Sequence, residues 1–396
     1  MGGGPAGMML GLLLARSGVR VTVLEKHADF LRDFRGDTVH PSTLEVLHEI
    51  GLLDALLLRP HQELQELTAQ VGDQLVKLAD FSRLPTHARF IAFMPQWEFL
   101  DFLAGECRRL PSFRLLMQAE VEELLEADGT VTGVVASTPD GKIAIRSNLV
   151  VGADGRDSRI RKSAGLEVRD FGAPIDALWL RLSRRVGDPS MPLGRITRGH
   201  VFVTIDRGSY WQCAFVISKG EAETLRREPI DLLRARIGEI APFLRDRLHE
   251  IRDWNDVSLL NVRVDRLKRW YKPGLLCIGD AAHAMSPIGG VGINLAVQDA
   301  VAAANLLADS LRRGRPSSRE LRRVQRRREL PTRVTQRLQI AAQDRVIGPV
   351  LRGAKPELPA LLRLLNESSA LRRVPGRLIG LGIRPEHVSK SFARAE

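Results

Sequence analysis

LLCIGDAAHAMSPIGGVGIN, residues 275–294, is the stretch on which the fold turns. The apolar run 275–278 predicts a short buried strand, and Gly279 with Asp280 a turn at its end. Pro287, Gly289, Gly290 and Gly292 then make a loop that opens into a helix over 294–309. Each part has a chemical use. A carboxylate at a strand end, Asp280, accepts hydrogen bonds from the hydroxyls of a sugar or ribityl chain. Glycines carry no Cβ, so a flat ligand can approach their backbone closely. The helix start aims free N–H groups and a positive dipole end at whatever lies above it, which suits a developing anion.

Working outward, residues 2–7 read Gly2-x-Gly4-x-x-Gly7, a dinucleotide fingerprint with a helix over 8–17, Gly18 as its stop and a strand over 19–24. Glu25 ends that strand at the distance where an acidic side chain meets a ribose diol. The fingerprint normally follows a strand, whereas Met1 stands directly before these glycines. A parallel sheet without its central strand would strand N–H and C=O groups in the interior, so the natural polypeptide is expected to begin upstream.

A third junction lies at 149–161, where an apolar strand runs into Gly152 and Asp154-Gly155, and Ser158 can cap a helix carrying Arg159 and Arg161. It can set a carboxylate and two cations beside a phosphorylated ligand. Between these landmarks, 35–52 reads as an arginine-led loop and a helix capped by the box Ser42-Thr43-Leu44-Glu45. The stretch 68–81 reads as sheet, Pro95-Gln96 leads a helix over 99–109, and 113–151 alternates as strands joined by Asp-Gly turns. From 171 to 264 strands dominate, around one helix over 222–237. Trp179, Phe202, Trp211 and Phe215 are candidates there for lining an apolar pocket, with core packing as the alternative for each.

With 396 residues, 44% of them hydrophobic, the chain can bury more than one core. The division expected is an α/β, Rossmann-like nucleotide domain over 1–67, 94–170 and 265–345, with its first strand missing. A substrate-binding sheet domain takes 68–93 and 171–264, and a helical segment 346–396 follows. A net charge of +12 raises nucleic acid or an acidic surface as partners. Much of the excess, however, is the arginine run 312–337, which has no interleaved aromatics for base stacking and reads as the solvated face of a long helix, so no nucleic-acid partner is expected. Cys107, Cys213 and Cys277 are too few and scattered for a disulfide framework or a zinc site, so no metal is expected and a reducing cytoplasm is. No apolar run reaches the length of an integral membrane segment.

In this order the three motifs resemble the FAD-dependent monooxygenases of the para-hydroxybenzoate hydroxylase type, single-component flavoproteins with a GxGxxG, a "DG" and a "GD" motif. The resemblance spans essentially the whole chain. It implies Gly2, Gly4, Gly7 and Glu25 for the FAD pyrophosphate and ribose, and Gly279 and Asp280 for the ribityl chain. It implies Asp154, Gly155 and Arg161 for FAD and reduced nicotinamide, and Arg35 and Gln96 near the flavin. Pro287, Gly289, Gly290, Gly292, Ile293 and Asn294 would form the loop beneath the isoalloxazine, with Arg35, Pro287, Gly292 and Asn294 closest to the chemistry. The reaction implied is NAD(P)H-driven, from NADH or NADPH: dioxygen adds to reduced flavin at C4a, and the hydroperoxide hydroxylates an aromatic or polycyclic small molecule. Backbone donors would stabilise the anionic reduced flavin, and a dry pocket would protect the hydroperoxide.

Departures from the family pattern are Val291, where relatives often have a polar residue, and the scarcity of tyrosine, with only Tyr210 and Tyr271. His40, His87 and His283 are the acid/base candidates, each read first as structural. The alternatives are an FAD-dependent reductase or dehydrogenase on the same scaffold, and a basic polyanion-binding protein. The sequence is compatible with a monomer or a homodimer.

Overall fold

The computed structural model describes residues 1–31, 38–188, 194–355 and 360–392. Helix α1 (Pro5–Arg16) starts earlier than its apolar run suggested, since proline at the first helical position loses no hydrogen bond and brings a fixed φ. It is buried from Ala6 to Ala15. Strand β1 (Val21–Leu24) follows, and helix α2 (Gln96–Arg108) leads to β2 (Phe113–Leu116), parallel to β1. Strand β3 (Val150–Gly152) closes an antiparallel meander. Met1 and Gly2 run between the β1 and β3 pairs. Gly2 N–H donates to Leu24 O, Ala153 N–H to Met1 O and the Met1 amino group to Val151 O, each at 2.8 Å. The fingerprint loop is thereby laced to both halves.

The chain then enters a seven-stranded sheet built around β4 (Ile175–Ser183), β5 (His200–Asp206) and β6 (Tyr210–Ser218). The strand order is Ser258–Leu260, β4, β6, β5, Gly194–Thr197, Glu66–Val71, Gln74–Asp80. Register sets Trp179 opposite Ala214 and Phe202 opposite Phe215. Successive side chains take opposite faces. Leu178, Leu180, Leu182, Phe202, Trp211, Cys213 and Phe215 share a core with the helix Ile230–Ile240 and the turns of Pro242–Glu250. Ala177, Trp179, Val201, Val203, Ala214 and Val216 face an internal cavity.

Two helix readings need correction. The expected helix over 222–237 is two, Ala222–Arg226 and Ile230–Ile240, separated at Pro229, which has no N–H and drives the residue before it out of helical geometry. The capping box at 42–45 does not form. The helix Pro41–Glu49 begins at its proline with His40 as cap, and Glu45 instead accepts from the His87 N–H at 2.9 Å.

Strand β7 (Leu275–Cys277) pairs in parallel with β3. Helix α3 (Gly292–Arg313) belongs to a helical stretch, Ile288–Arg313, long and apolar enough to cross a bilayer, but 78% of its apolar window is buried inside the fold, and α3 packs on α1 and on α4 (Ser318–Ala342). The arginine face of α4 is exposed as expected except at Arg328, which is 1% exposed. Finally α5 (Ala360–Glu367) and α6 (Ser369–Gly380) pack on the strand Gln74–Asp80, closely enough that a Cβ at Gly376 would stand 2.0 Å from Asp80 O. The whole is a mixed α/β fold in which helices and parallel and antiparallel sheets enclose a large cavity.

Candidate active site

The cavity measures about 900 Å³ and runs from the fingerprint glycines to the inner face of the seven-stranded sheet. Its polar end is lined by Gly2, Gly3, Gly4, Glu25, Asp154, Gly155, Arg156 and Asp280. Its middle is formed by Gln96, Pro287, Gly289, Gly290, Gly292 and Ile293. Its far end is apolar.

At the polar end the glycines do different jobs. Gly2 has φ +96°, and a Cβ there would lie 2.2 Å from Ala153 O. A Cβ at Gly7 would lie 2.0 Å from Gly2 O, so this residue lets α1 close on the loop rather than lining the cavity. Gly4 is the reverse case: its Cβ position has nothing within 4 Å and opens on the cavity. The Glu25 carboxylate is fixed by the Gly3 N–H at 2.8 Å and the His27 N–H at 3.1 Å. Asp154 accepts from the Ile160 N–H at 3.2 Å through one oxygen, while its other oxygen is buried without a protein partner. Ser158 caps the following helix as read, accepting from the Arg161 N–H at 3.0 Å.

Asp280 lies 3.7 Å from the guanidinium of Arg156, a cavity residue that sequence reasoning passed over in favour of Arg161. Arg161 does not reach the cavity. It is 4% exposed and makes a two-pronged pair with Asp265 at 3.1 Å, because Ser158 starts a helix that turns it into the core. Its assignment to the cofactor is corrected to a structural one. Gly279 has φ +58° and sits against Ala6 and Ala296, each 3.2 Å from where its Cβ would be, so it shapes the turn that presents Asp280.

The loop 287–294 is braced from three sides. Thr38 donates through its hydroxyl to Gly290 O at 2.8 Å, and a Cβ at Gly290 (φ +62°) would meet that hydroxyl oxygen at 2.3 Å. The Asn294 side chain points into the protein: its oxygen accepts from the His40 N–H at 2.9 Å and the Thr43 hydroxyl at 2.7 Å, and its amide lies 3.4 Å from Thr38 O and Gly290 O. The side chain therefore braces the loop, and the expectation placed on Asn294 rests on its backbone N–H. From below, α4 presents a row of glutamines that the sequence reading missed. Gln336 donates to Ala284 O at 3.0 Å, and Gln339 to Ser286 O and Ile288 O at 2.9 and 2.8 Å. Their spacing of three on a helix was the available signal.

His40 is fully buried. Its Nδ1 donates to Ile379 O at 2.8 Å, and desolvation lowers its pKa from 6.5 to about 4. It is therefore neutral, and it ties α6 to the loop. Leu365, Pro375 and Ile379, from α5 and α6, reach the cavity. Arg35 lies outside the described residues.

At the apolar end Trp179 lines the cavity. Phe202, Trp211 and Phe215 do not, since strand alternation turns them to the opposite face, where Trp211 packs edge-on to Phe243. Their candidacy as pocket residues is corrected accordingly. The described lining there is mostly Ile, Val, Ala and Leu, with Phe93, Trp179, Met285 and Pro375 and the hydroxyl residues Thr68 and Ser286, and no charged side chain is among it. No group of three His, Cys, Asp or Glu side chains converges as a metal site among the described residues.

The site was tested against FAD on its own geometry. Gly4 and Gly292 both face the cavity with open space where a Cβ would stand, so the backbone is bare where a ligand must approach. The unpartnered oxygen of Asp154 is a buried acceptor that a ligand donor can satisfy. Helices α1 and α3 both point their N-termini at the cavity, α1 at its glycine-rich polar end and α3 beside the loop 287–294. These features fit a long dinucleotide, and they define the class: an FAD-dependent oxidoreductase whose cavity ends in an apolar chamber.

Comparison with known proteins agrees. A family model described as "FAD binding domain" matches residues 1–338, and the chain belongs to that family. It is 33% identical over 385 residues to 6-methylpretetramide 4-monooxygenase of Streptomyces rimosus, covering 96% of this chain and 90% of that protein. It is 27% identical over 314 residues to 12-dehydrotetracycline 5-monooxygenase/anhydrotetracycline 6-monooxygenase of Streptomyces rimosus subsp. rimosus, covering 76% of this chain and 60% of that longer protein. The crystal structure of p-nitrophenol 4-monooxygenase from Pseudomonas putida DLL-E4 has the same fold, with a TM-score of 0.78, 22% identity and 95% of each chain covered. The protein is an FAD-dependent monooxygenase.

Proposed function

We propose that this enzyme hydroxylates an uncharged aromatic or fused-ring compound held against the inner face of the seven-stranded sheet. The observation that carries the reading is the predominantly apolar, uncharged described lining, formed by Ala177, Trp179, Val201, Val216 and their neighbours, adjoining the glycine loop. When bound, FAD supplies two-electron redox chemistry and activation of dioxygen, with NADH or NADPH as the electron donor.

The chain's own residues supply position and environment. Glu25 holds a ribose diol, and the N–H groups at the start of α1 meet the pyrophosphate. Asp280, with Arg156 beside it, takes hydroxyls of the ribityl chain. Ile293 and Asn294, in the first turn of α3, offer backbone N–H groups toward negative charge at the ring's edge. Thr38, Asn294 and the glutamines of α4 keep these donors in place before any ligand arrives, so little reorganisation is needed during turnover. The apolar wall excludes water from the reacting face. It also favours a planar substrate over a charged one, because an ionised group there would lose its hydration without a partner.

The seven-stranded sheet acts as the substrate domain in this reading, with α5 and α6 closing one side. A homodimer is tested by sedimentation. The reaction is tested by incubating the FAD-loaded protein with a panel of neutral polycyclic phenols and NADH or NADPH. Substrate-stimulated oxidation coupled to a product heavier by one oxygen supports the proposal. Anaerobic turnover with no oxygen transfer would favour a reductase instead.

A further inference from the structure

Beneath the turn that presents Asp280 lies a chain of buried charges that the chemistry above does not use. Asp299, on α3, is fully buried and is its hub. One of its oxygens accepts from the Gly279 N–H at 3.0 Å and from His283 Nε2 at 2.6 Å. Its other oxygen accepts from Arg328 Nε at 3.0 Å. Burial alone would raise its pKa, but the charge and hydrogen bond of His283 and the guanidinium of Arg328 outweigh this and hold it below the ordinary carboxylate value. Arg328 in turn reaches the Glu386 carboxylate at 3.4 Å and Arg384 O at 3.4 Å, both in the segment that follows α6. Glu386 is 5% exposed, and Arg327 donates to it at 2.7 Å.

Four ionisable side chains buried in series are costly unless every link is made, and removing one partner leaves the next uncompensated. The chain therefore does more than fill space. Its inner end holds the backbone N–H of Gly279, the residue whose left-handed conformation aims Asp280 at the cavity. Its outer end is anchored more than a hundred residues later in the sequence. A carboxylate with three donors on two oxygens must divide itself between them. Its balance between Arg328 on one side, and Gly279 with His283 on the other, depends on whether Arg328 has a second carboxylate to answer.

We propose that Asp299 is a positioning residue for the flavin site and that Glu386 acts on it through Arg328, so that the C-terminal segment tunes how firmly the Asp280 turn grips FAD. With the Glu386 charge gone, Arg328 turns wholly to Asp299 and draws it from the Gly279 N–H. The turn then loosens, and Asp280 with it. The inference rests on Asp280 being a flavin ligand.

The test is a double-mutant cycle read by FAD dissociation constant, bound-flavin absorption spectrum and flavin midpoint potential, at temperatures well below apoprotein unfolding. Asp299→Asn is expected to raise the FAD dissociation constant at least tenfold. Glu386→Gln, which keeps an acceptor oxygen, is expected to raise it about threefold and to shift the bound-flavin spectrum and potential. In the double variant the Glu386 change should add less than twofold, because its route is already broken. Should Asp299→Asn give no soluble protein, the same cycle with Arg328→Gln, which removes the link between Glu386 and Asp299, carries the test. Wild-type affinity, spectrum and potential in Glu386→Gln, or independent multiplication of the two effects, overturns the proposal. Asp280→Ala separates the failures: if it leaves FAD affinity unchanged, the reading of Asp280 is wrong. If it weakens FAD while Glu386→Gln does nothing, only the coupling is wrong.

Discussion

Gly290→Ala puts one methyl group at the most constrained point of the flavin loop. The backbone there is left-handed, with φ +62°, which costs an L-residue about 1–2 kcal/mol. The new Cβ would lie 2.3 Å from the Thr38 hydroxyl oxygen, so Thr38 must rotate away and give up its 2.8 Å bond to Gly290 O. That loss adds roughly 0.5–1.5 kcal/mol. Together the loop geometry is disfavoured by about 1.5–3.5 kcal/mol, or roughly 10- to 300-fold if the unliganded loop relaxes and FAD must restore it. The assay is titration of apoprotein with FAD by flavin fluorescence, beside a thermal melt without FAD. The expected result is an FAD dissociation constant raised at least tenfold with little change in apoprotein melting. Thr38→Ala alone should show only the hydrogen-bond part of the loss, and adding it to Gly290→Ala should weaken FAD binding little further, because that bond is already given up. An affinity within twofold of wild type in Gly290→Ala would refute the claim that this loop is preorganised for the cofactor.

Three further outcomes follow from the same geometry. Val216→Trp, on the cavity face of β6, should lower kcat/KM at least tenfold for a fused-ring substrate while leaving FAD affinity unchanged, and steady-state kinetics beside FAD titration checks it. Arg161→Met should destabilise the fold by about 3–5 kcal/mol, because it leaves the Asp265 carboxylate buried without its cation, and Asp265→Leu in the same chain should recover much of that in a urea melt. His40 titrates at about 4 when folded against 6.5 when free, so the unfolded chain binds the extra proton between those values. Stability should therefore be fully present above pH 6.5 and fall by on the order of 3 kcal/mol as pH drops to about 4, and His40→Gln should flatten that slope.

The parts of the site that were legible in the sequence are those where backbone geometry forces residue identity. Gly2, Gly279 and Gly290 hold left-handed conformations, and Gly7 admits a contact that no Cβ permits, so spacing alone pointed to them. Strand-end carboxylates such as Glu25 and Asp280 were legible for the same reason, since they follow apolar runs. Sheet residues were not. Phe202 and Val203 differ by one position and face opposite sides, and register arises only from pairing with β6. Nor did charge reveal partnership: Arg161 and Arg328 resemble their exposed neighbours until Asp265, Asp299 and Glu386, distant in sequence, are brought beside them. The spacing of the glutamines on α4 placed them on one helix face but not against the loop, because their partners are carbonyl groups that any residue could supply.

The central claim is that this fold delivers one atom of dioxygen to a compound bound on the apolar face of the cavity. It is tested most directly by turnover under isotopically heavy dioxygen, with the product's mass compared against product made under ordinary dioxygen. The account predicts one heavy oxygen in the product, in step with NAD(P)H consumed, and loss of that product in Val216→Trp despite normal FAD loading. Product oxygen drawn from water, or turnover that proceeds without dioxygen, would contradict it.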